Sequence, residues 1–392
     1  MVASGLSPEN RPSGVYARDF LIVIGGVLLL VLLFVGWMLA SPEQKFSRLT
    51  ILDPKSGGLI QDGPYLGSAT CGACHPGEYA FFTRSGHART LRAAADVPLA
   101  RKLDGRVVTD PERPGVTWTY ALRNQRLQVE RAERAKIERL VFDFAFGSDH
   151  HATTFVSITD PAKPTALEHR LTHFAEADSI GITPGQLSTG PVSGTTPRGR
   201  ELTSKLVFKC FGCHSTPIME GPRKNTGTMI QNVSCERCHG PARSHVEAAR
   251  RGRTDLSMPF GLEQWTAESQ MKLCGQCHRH PSDAPPGIIR KDNSEMVRFQ
   301  PVGLMQSKCY KKSRGELSCV TCHDPHARSS PDRTSYEASC LKCHQAAPQT
   351  ICSVSPGKGC IDCHMPRIDA GQQVLFSDHW IRVRAPAGQP KK

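Results

Sequence analysis

Fourteen of the sixteen cysteines in this 392-residue chain fall in seven copies of Cys-x-x-Cys-His. The copies are Cys71/Cys74/His75, Cys210/Cys213/His214, Cys235/Cys238/His239, Cys274/Cys277/His278, Cys319/Cys322/His323, Cys340/Cys343/His344 and Cys360/Cys363/His364. Two thiols three residues apart on a helical turn reach the two vinyl groups along one porphyrin edge. The His after the second Cys then turns under the ring and gives iron a proximal nitrogen. This is the attachment pattern of c-type haem, so the cofactor expected is haem c, seven per chain and covalently held. Zinc competes poorly, because a structural zinc site pairs two such half-sites, seven is odd, and zinc does not require a His after every second Cys. A disulfide inside Cys-x-x-Cys closes too small a loop to stabilise much.

The elements that hold these motifs must be short. Successive motifs start 139, 25, 39, 45, 21 and 20 residues apart, so no single repeat builds the fold. Six motifs crowd into residues 210–364, too little chain per cofactor to bury a conventional core. The porphyrins themselves then form the apolar interior, in keeping with only 6% aromatic residues. With 34 Gly and 29 Pro, the expected fold class is mainly α and irregular: short helices around packed haems, joined by loops. One haem-free stretch, residues 88–209, is expected as an insertion with a small β-hairpin. There, residues 116–122 and 126–130 flank Arg123-Asn124-Gln125, and residues 141–146 alternate apolar and polar residues in a way that extends the sheet.

From Phe20 to Ala40 the chain has twenty-one residues without a charge, enough to span a bilayer. A cleaved signal peptide has a shorter apolar run. The expectation is therefore a cytoplasmic tail (1–19), a transmembrane anchor (20–40), a linker (41–66) and an exported seven-haem domain (67–392). Arg11 and Arg18 before the span place the N-terminus in the cytoplasm and the haem domain in the periplasm, at the inner membrane. The formal charge of +13 suggests a nucleic-acid patch, but the propionates of seven haems offset most of it, so no nucleic-acid partner is expected.

Several segments resemble known multihaem cytochromes. Ser68-Ala-Thr-Cys-Gly-Ala-Cys-His with Glu78-Tyr79 and Ser85-Gly-His87 resembles the opening of the nitrification tetrahaem cytochrome c family. Residues 234–241 with His245, 319–326 ending Asp-Pro-His326, and 359–366 with Asp378-His379 resemble the same wider group, which includes hydroxylamine oxidoreductase and the pentahaem nitrite reductases. The resemblance covers roughly residues 68–94 and 205–385. It implies closely packed haems and periplasmic electron transfer, and it puts His87, His245, His326 and His379 where the family has distal iron ligands. Five further histidines are candidates from their own placement. His150 and His151 are adjacent and point opposite ways on a strand, His169 and His173 share a face only on a helix, and His280 lies too near His278 to cap the same iron. Met229 and Met305 are alternatives. Cys309 and Cys352, outside the motifs, most simply pair as a disulfide in an exported protein, with a thiolate ligand at Cys309 or two free thiols as alternatives.

The function expected is a membrane-anchored electron carrier working between membrane and other redox proteins, either quinol-linked or periplasmic. The alternative is an oxidoreductase acting on a small nitrogen or sulfur compound at one five-coordinate haem. Against the enzyme stand the lack of any Cys-x-x-Cys-Lys site and of an assignable crosslinking Tyr. No catalytic residue is assigned.

Overall fold

Val116, Trp118 and Tyr120 lie on one face of an extended chain, because successive side chains in a strand point to opposite sides. All three are buried. They belong to a sandwich in the haem-free stretch. The computed structural model describes residues 65–160, 165–216, 230–253, 258, 265–285, 287–344, 352, 354–355, 357–370 and 374–383. Among these, eleven strands precede the second motif: β1 (Leu91–Ala93), β2 (Val107–Asp110), β3 (Arg113–Arg123), β4 (Arg126–Glu133), β5 (Lys136–Phe142), β6 (Phe144–Phe146), β7 (Ala152–Asp160), β8 (Thr165–Phe174), β9 (Ser179–Ile182), β10 (Thr195–Thr196) and β11 (Gly199–Leu202).

They form two antiparallel sheets. One has the order β2-β3-β4-β5; the other runs β1-β6-β7-β8-β11-β10, with β9 also paired to β8. β3 and β4 are joined by Asn124 and Gln125, at φ 50° and 56°. A two-residue turn with both residues left-handed matches the twist of a hairpin. The facing sides share a core of Trp118, Tyr120, Leu127, Val129 and Phe142 with Phe155, Leu171 and Ile182, capped by Leu99 and Leu103 of the helix Pro98–Leu103. The other side of the larger sheet packs Leu91, Phe144, Val156 and Leu202 against Val207, Phe208 and Phe211 of the helix Ser204–His214, which carries the second motif. The sandwich thus grips one haem-attachment peptide through an apolar face. Gly199 lets β11 approach β8: at φ 141°, a Cβ there would lie 2.0 Å from Glu168 O.

Past residue 204 the chain runs in short helices. Five of them, Ser204–His214, Cys235–His239, Ala267–His278, Glu337–His344 and Cys360–His364, end on the motif His itself. Helices of five to twelve residues are marginal in isolation and depend on what they pack against. Two small sheets complete this part, β12 (Ser215–Thr216) with β13 (Ile230–Gln231), and β14 (Arg367–Asp369) with β15 (Leu375–Ser377).

Two expectations are corrected. The fold class is not mainly α with one small hairpin, since fifteen strands in four antiparallel sheets stand among the described residues. Residues 91–202 hold seven of the twenty-five aromatic residues, no more than their share of the chain, but bury six of them and so build an ordinary sandwich core. Single-pass placement in the inner membrane does not stand either. Among the described residues no helix is long and apolar enough to cross a membrane; the span at 20–40 lies outside them.

Candidate haem-attachment array

The helical motifs set their two cysteines one turn apart on one face, where i and i+3 side chains are neighbours. The turn is closed even where the helix is minimal: His75 N donates to Cys71 O at 2.8 Å and His323 N to Cys319 O at 2.9 Å. The helix ending on His278 is started by Thr266, whose Oγ1 accepts from Ser269 N at 3.1 Å, an N-cap that satisfies one free amide.

The attachment thiols differ in exposure. Cys74, Cys322, Cys343 and Cys363, each the second cysteine of its motif, are exposed on the folded chain, whereas the first cysteines Cys71, Cys319, Cys340 and Cys360 are half-buried. Cys74 and Cys322 fall just past the end of a short helical turn, and Cys343 and Cys363 stand next to last in theirs.

The folded chain joins the motifs in an order different from that of the sequence. Cysteines of different motifs lie beside one another, Cys71 by Cys235, Cys213 by Cys277 and Cys274 by Cys319, and the neighbouring sulfur pushes the pKa of Cys71, Cys213 and Cys274 up. The first and third motifs are also tied through the buried Glu236 carboxylate, which accepts from Leu66 N, Gly67 N (2.7 Å) and Ala242 N (3.0 Å). The fourth and fifth meet where Cys319 Sγ lies 3.5 Å from Met271 Sδ and Ser318 Oγ donates to Gln270 Oε1 at 2.6 Å. Ser339 Oγ donates to Thr321 O at 2.9 Å, linking fifth to sixth. The Glu337 carboxylate accepts Gly359 N at 3.1 Å, and Arg333 Nη2 donates to Met365 O at 2.9 Å, linking sixth to seventh.

Three motif histidines face a second imidazole. Ring centres are 6.3 Å apart for His278 and His87, 6.0 Å for His239 and His326, and 6.2 Å for His323 and His379. Two imidazoles binding one metal from opposite sides, each nitrogen about 2 Å from it, stand with ring centres roughly 6 Å apart. The residues present therefore fit a bis-histidine iron. His150 and His151 show a similar 6.3 Å, but theirs follows from being chain neighbours.

Tautomers sharpen the assignment, since a ligating His usually donates its other ring N–H to a carbonyl or carboxylate. His87 Nδ1 is 3.3 Å from Pro325 O, His379 Nδ1 2.9 Å from Ser377 O, and His326 Nδ1 3.4 Å from Asp324 Oδ1. Each arrangement leaves Nε2 free for iron. On the proximal side, His214 Nδ1 bonds Thr90 O at 2.9 Å and His364 Nδ1 bonds Arg382 O at 3.1 Å. Desolvation, with the facing His87, pushes His278 down to about 4, and desolvation brings His379 to about 4. Both are held neutral, the form a metal ligand requires.

The remaining candidates are engaged differently. His169 is fully buried, its Nε2 bonded to Tyr120 Oη at 2.8 Å and its ring against Trp118 and Phe142, which leaves no face for a porphyrin. His173 Nε2 pairs with Asp178 at 2.9 Å. His150 Nδ1 accepts from Arg328 at 3.0 Å, so its N–H lies on Nε2. His151 lies 6.1 Å from the Phe376 ring. His280 bonds Ser282 through Nδ1 and folds under Gly275, where a Cβ would meet it at 2.9 Å. His245 sits half-buried in the helix Arg243–Arg250. Among the described residues, His75, His214 and His364 have no histidine ring in contact. Met229 lies outside the described residues. The expected disulfide is not formed: Cys309 and Cys352 are free thiols.

Sequence reasoning missed Glu236, Glu337, Gln270 and Arg237, which stitch motif to motif. Two of them sit between the cysteines of a motif, positions the attachment chemistry leaves free.

Residues 195–240 match the family described as cytochrome c554 and c-prime, a segment holding the second and third motifs. No curated protein matches the chain. Among solved structures, the crystal structure of the outer cell wall cytochrome OcwA is similar at 15% identity and a TM-score of 0.47, over 82% of this chain and 80% of that one. The motif series and the family match together support a multihaem c-type cytochrome.

Proposed function

We propose that the chain attaches seven haems c and relays electrons between other redox proteins, without catalysis of its own. Haem c bound at these motifs supplies a one-electron iron centre whose potential follows its axial ligands and burial. The fourteen motif thiols hold it, the exposed Cys74, Cys322, Cys343 and Cys363 included, and His75, His214, His239, His278, His323, His344 and His364 are its proximal ligands. His87, His326 and His379 are the distal ligands opposite His278, His239 and His323. His245, His151 and His280 remain as further distal donors, while His150, His169 and His173 serve the protein's own hydrogen bonding. The observation that carries the reading is the set of three histidine pairs at 6.0–6.3 Å. The resemblance to the tetrahaem nitrification cytochromes implies electron transfer and no particular substrate, since carriers and enzymes there share one arrangement. Intact mass with a pyridine haemochrome assay tests the stoichiometry. Seven haems per chain are expected, and six or fewer in fully matured protein would overturn the count.

A further inference from the structure

Three attachment peptides meet at one side chain. Arg237 stands directly before Cys238 in the third motif, and its guanidinium reaches two other motifs. Nη1 donates to Gln276 Oε1 at 3.1 Å, while Nη2 lies 3.5 Å from Gly212 O and 3.6 Å from Cys277 Sγ. Gly212 and Gln276 occupy the same between-cysteine position in the second and fourth motifs that Arg237 occupies in the third. The fork is therefore set among three equivalent points of three attachment peptides. Cys213 Sγ, 3.9 Å from Gln276 O, closes the second motif onto the fourth.

The charge of Arg237 is not cancelled there. Among the described residues it has no carboxylate partner; its bonds go to an amide, a carbonyl and a sulfur, and its buried Nε has none. The neighbouring Glu236 is turned away, holding Leu66 N, Gly67 N and Ala242 N. A purely structural strap needs no net charge. A lone cation beside a sulfur that becomes a thioether acts on the attached porphyrin, and favours the iron state with one positive charge fewer, which is the reduced state.

We infer that Arg237 is a positioning residue that holds the second, third and fourth attachment motifs at a three-way junction and raises the reduction potential of the haem attached at Cys274 and Cys277. The inference rests on the reading of these motifs as haem sites. It makes the array branched: the fourth motif borders the second, third and fifth, so the second motif, gripped by the sandwich, is a side arm.

The test is spectroelectrochemical titration of the full holoprotein with R237Q, R237K and K272Q, each with its haem count. Lys272 lies on the exposed side of the same helix as Cys277, paired to Glu268 at 2.7 Å, and K272Q should leave every midpoint in place. R237Q should keep the haem count and move one midpoint negative by about 59 mV, a tenfold change in a one-electron equilibrium. R237K keeps the charge but not the fork, so its midpoints should stay with the wild type while its melting temperature falls. R237Q with all haems and unmoved midpoints would overturn the inference and leave the cytochrome reading intact. If R237Q does not mature, R237K decides: a tenfold negative shift with the charge retained overturns the inference. A wild-type chain without haem at these motifs would end both.

Discussion

The two halves of the described chain are held together by different forces. Residues 91–202 bury Trp118, Tyr120, Leu127, Phe142, Phe155 and Leu171 between two sheets, a core any soluble sandwich could own. The motif-bearing chain after residue 235 buries a cluster of Met296, Phe299 and Val302. Its interior joins are polar: Glu236, Glu337, Gln270 and Ser318 tie backbone or side-chain groups of one motif to the next. Apolar burial stabilises the first region by itself, at about 25 cal/mol per Å². In the second, the chain supplies satisfied hydrogen bonds, each worth about 1 kcal/mol net, and the bulk of apolar contact must come from the cofactors.

The largest effect expected from this contrast is on chain made without haem attachment, for example with the fourteen motif cysteines changed to Ser. Hydrogen exchange should show residues 235–383 unprotected and residues 107–182 still protected. Equal loss in both regions would erase the distinction. Next come substitutions inside the sandwich. Arg170 is buried with its Nε 2.7 Å from Asp110 Oδ2 and its Nη2 2.7 Å from Glu112 Oε2. R170M should destabilise the sandwich by about 3–5 kcal/mol because it strands a buried Asp, and W118A by about 3–5 kcal/mol. Calorimetry should record both losses while the visible haem spectrum stays unchanged.

Acid should act on the sandwich with a definite sign. Burial pushes His169 down to about 3, below the ordinary value near 6.5 of an unfolded His. Burial works to raise Glu112, yet the Ser188 amide and the Arg170 guanidinium hold it below its usual range. Both groups have folded pKa values below their unfolded ones. Their stabilisation is full above about pH 6.5 for His169 and above about pH 4.3 for Glu112, and is lost as pH falls through the folded values. The melting temperature of the sandwich should therefore decline from about pH 6.5 downward; a flat profile to pH 4 contradicts the His169 assignment. The smallest effect belongs to the exposed Arg198–Glu201 pair at 3.2 Å, where R198A should cost less than about 1 kcal/mol.

The parts legible in the sequence were those set by local spacing. Cys-x-x-Cys-His is written within five residues, and the turn at Asn124-Gln125 lies between two alternating runs, so both were readable. Which thiol of a motif the protein covers is not written there, since Cys363 and Cys238 stand at the same place in their helices and only Cys363 is exposed. The sandwich was underestimated because its other strands carry weaker patterns. Residues 141–146 read as one strand, but the chain breaks at Asp143, whose carboxylate takes Arg126 at 2.6 Å and Ile158 N at 2.8 Å, and β5 and β6 then enter different sheets. β8 pairs with three strands, and its His169 and His173 were read as ligand candidates where the sheet buries one and ties the other to Asp178. The facing of His278 by His87, and of His239 by His326, joins residues far apart in the chain. Only the folded path brings them together, so residue type could nominate them without pairing them.

Electron paramagnetic resonance of oxidised wild-type protein beside H326A tests the central claim most directly, because the pairing of His239 with His326 at 6.0 Å predicts a countable change. The variant should keep all its covalent haem, lose one low-spin signal and gain one high-spin signal that responds to added nitrite or hydroxylamine. An unchanged low-spin count in H326A would contradict the pairing of these histidines across an iron.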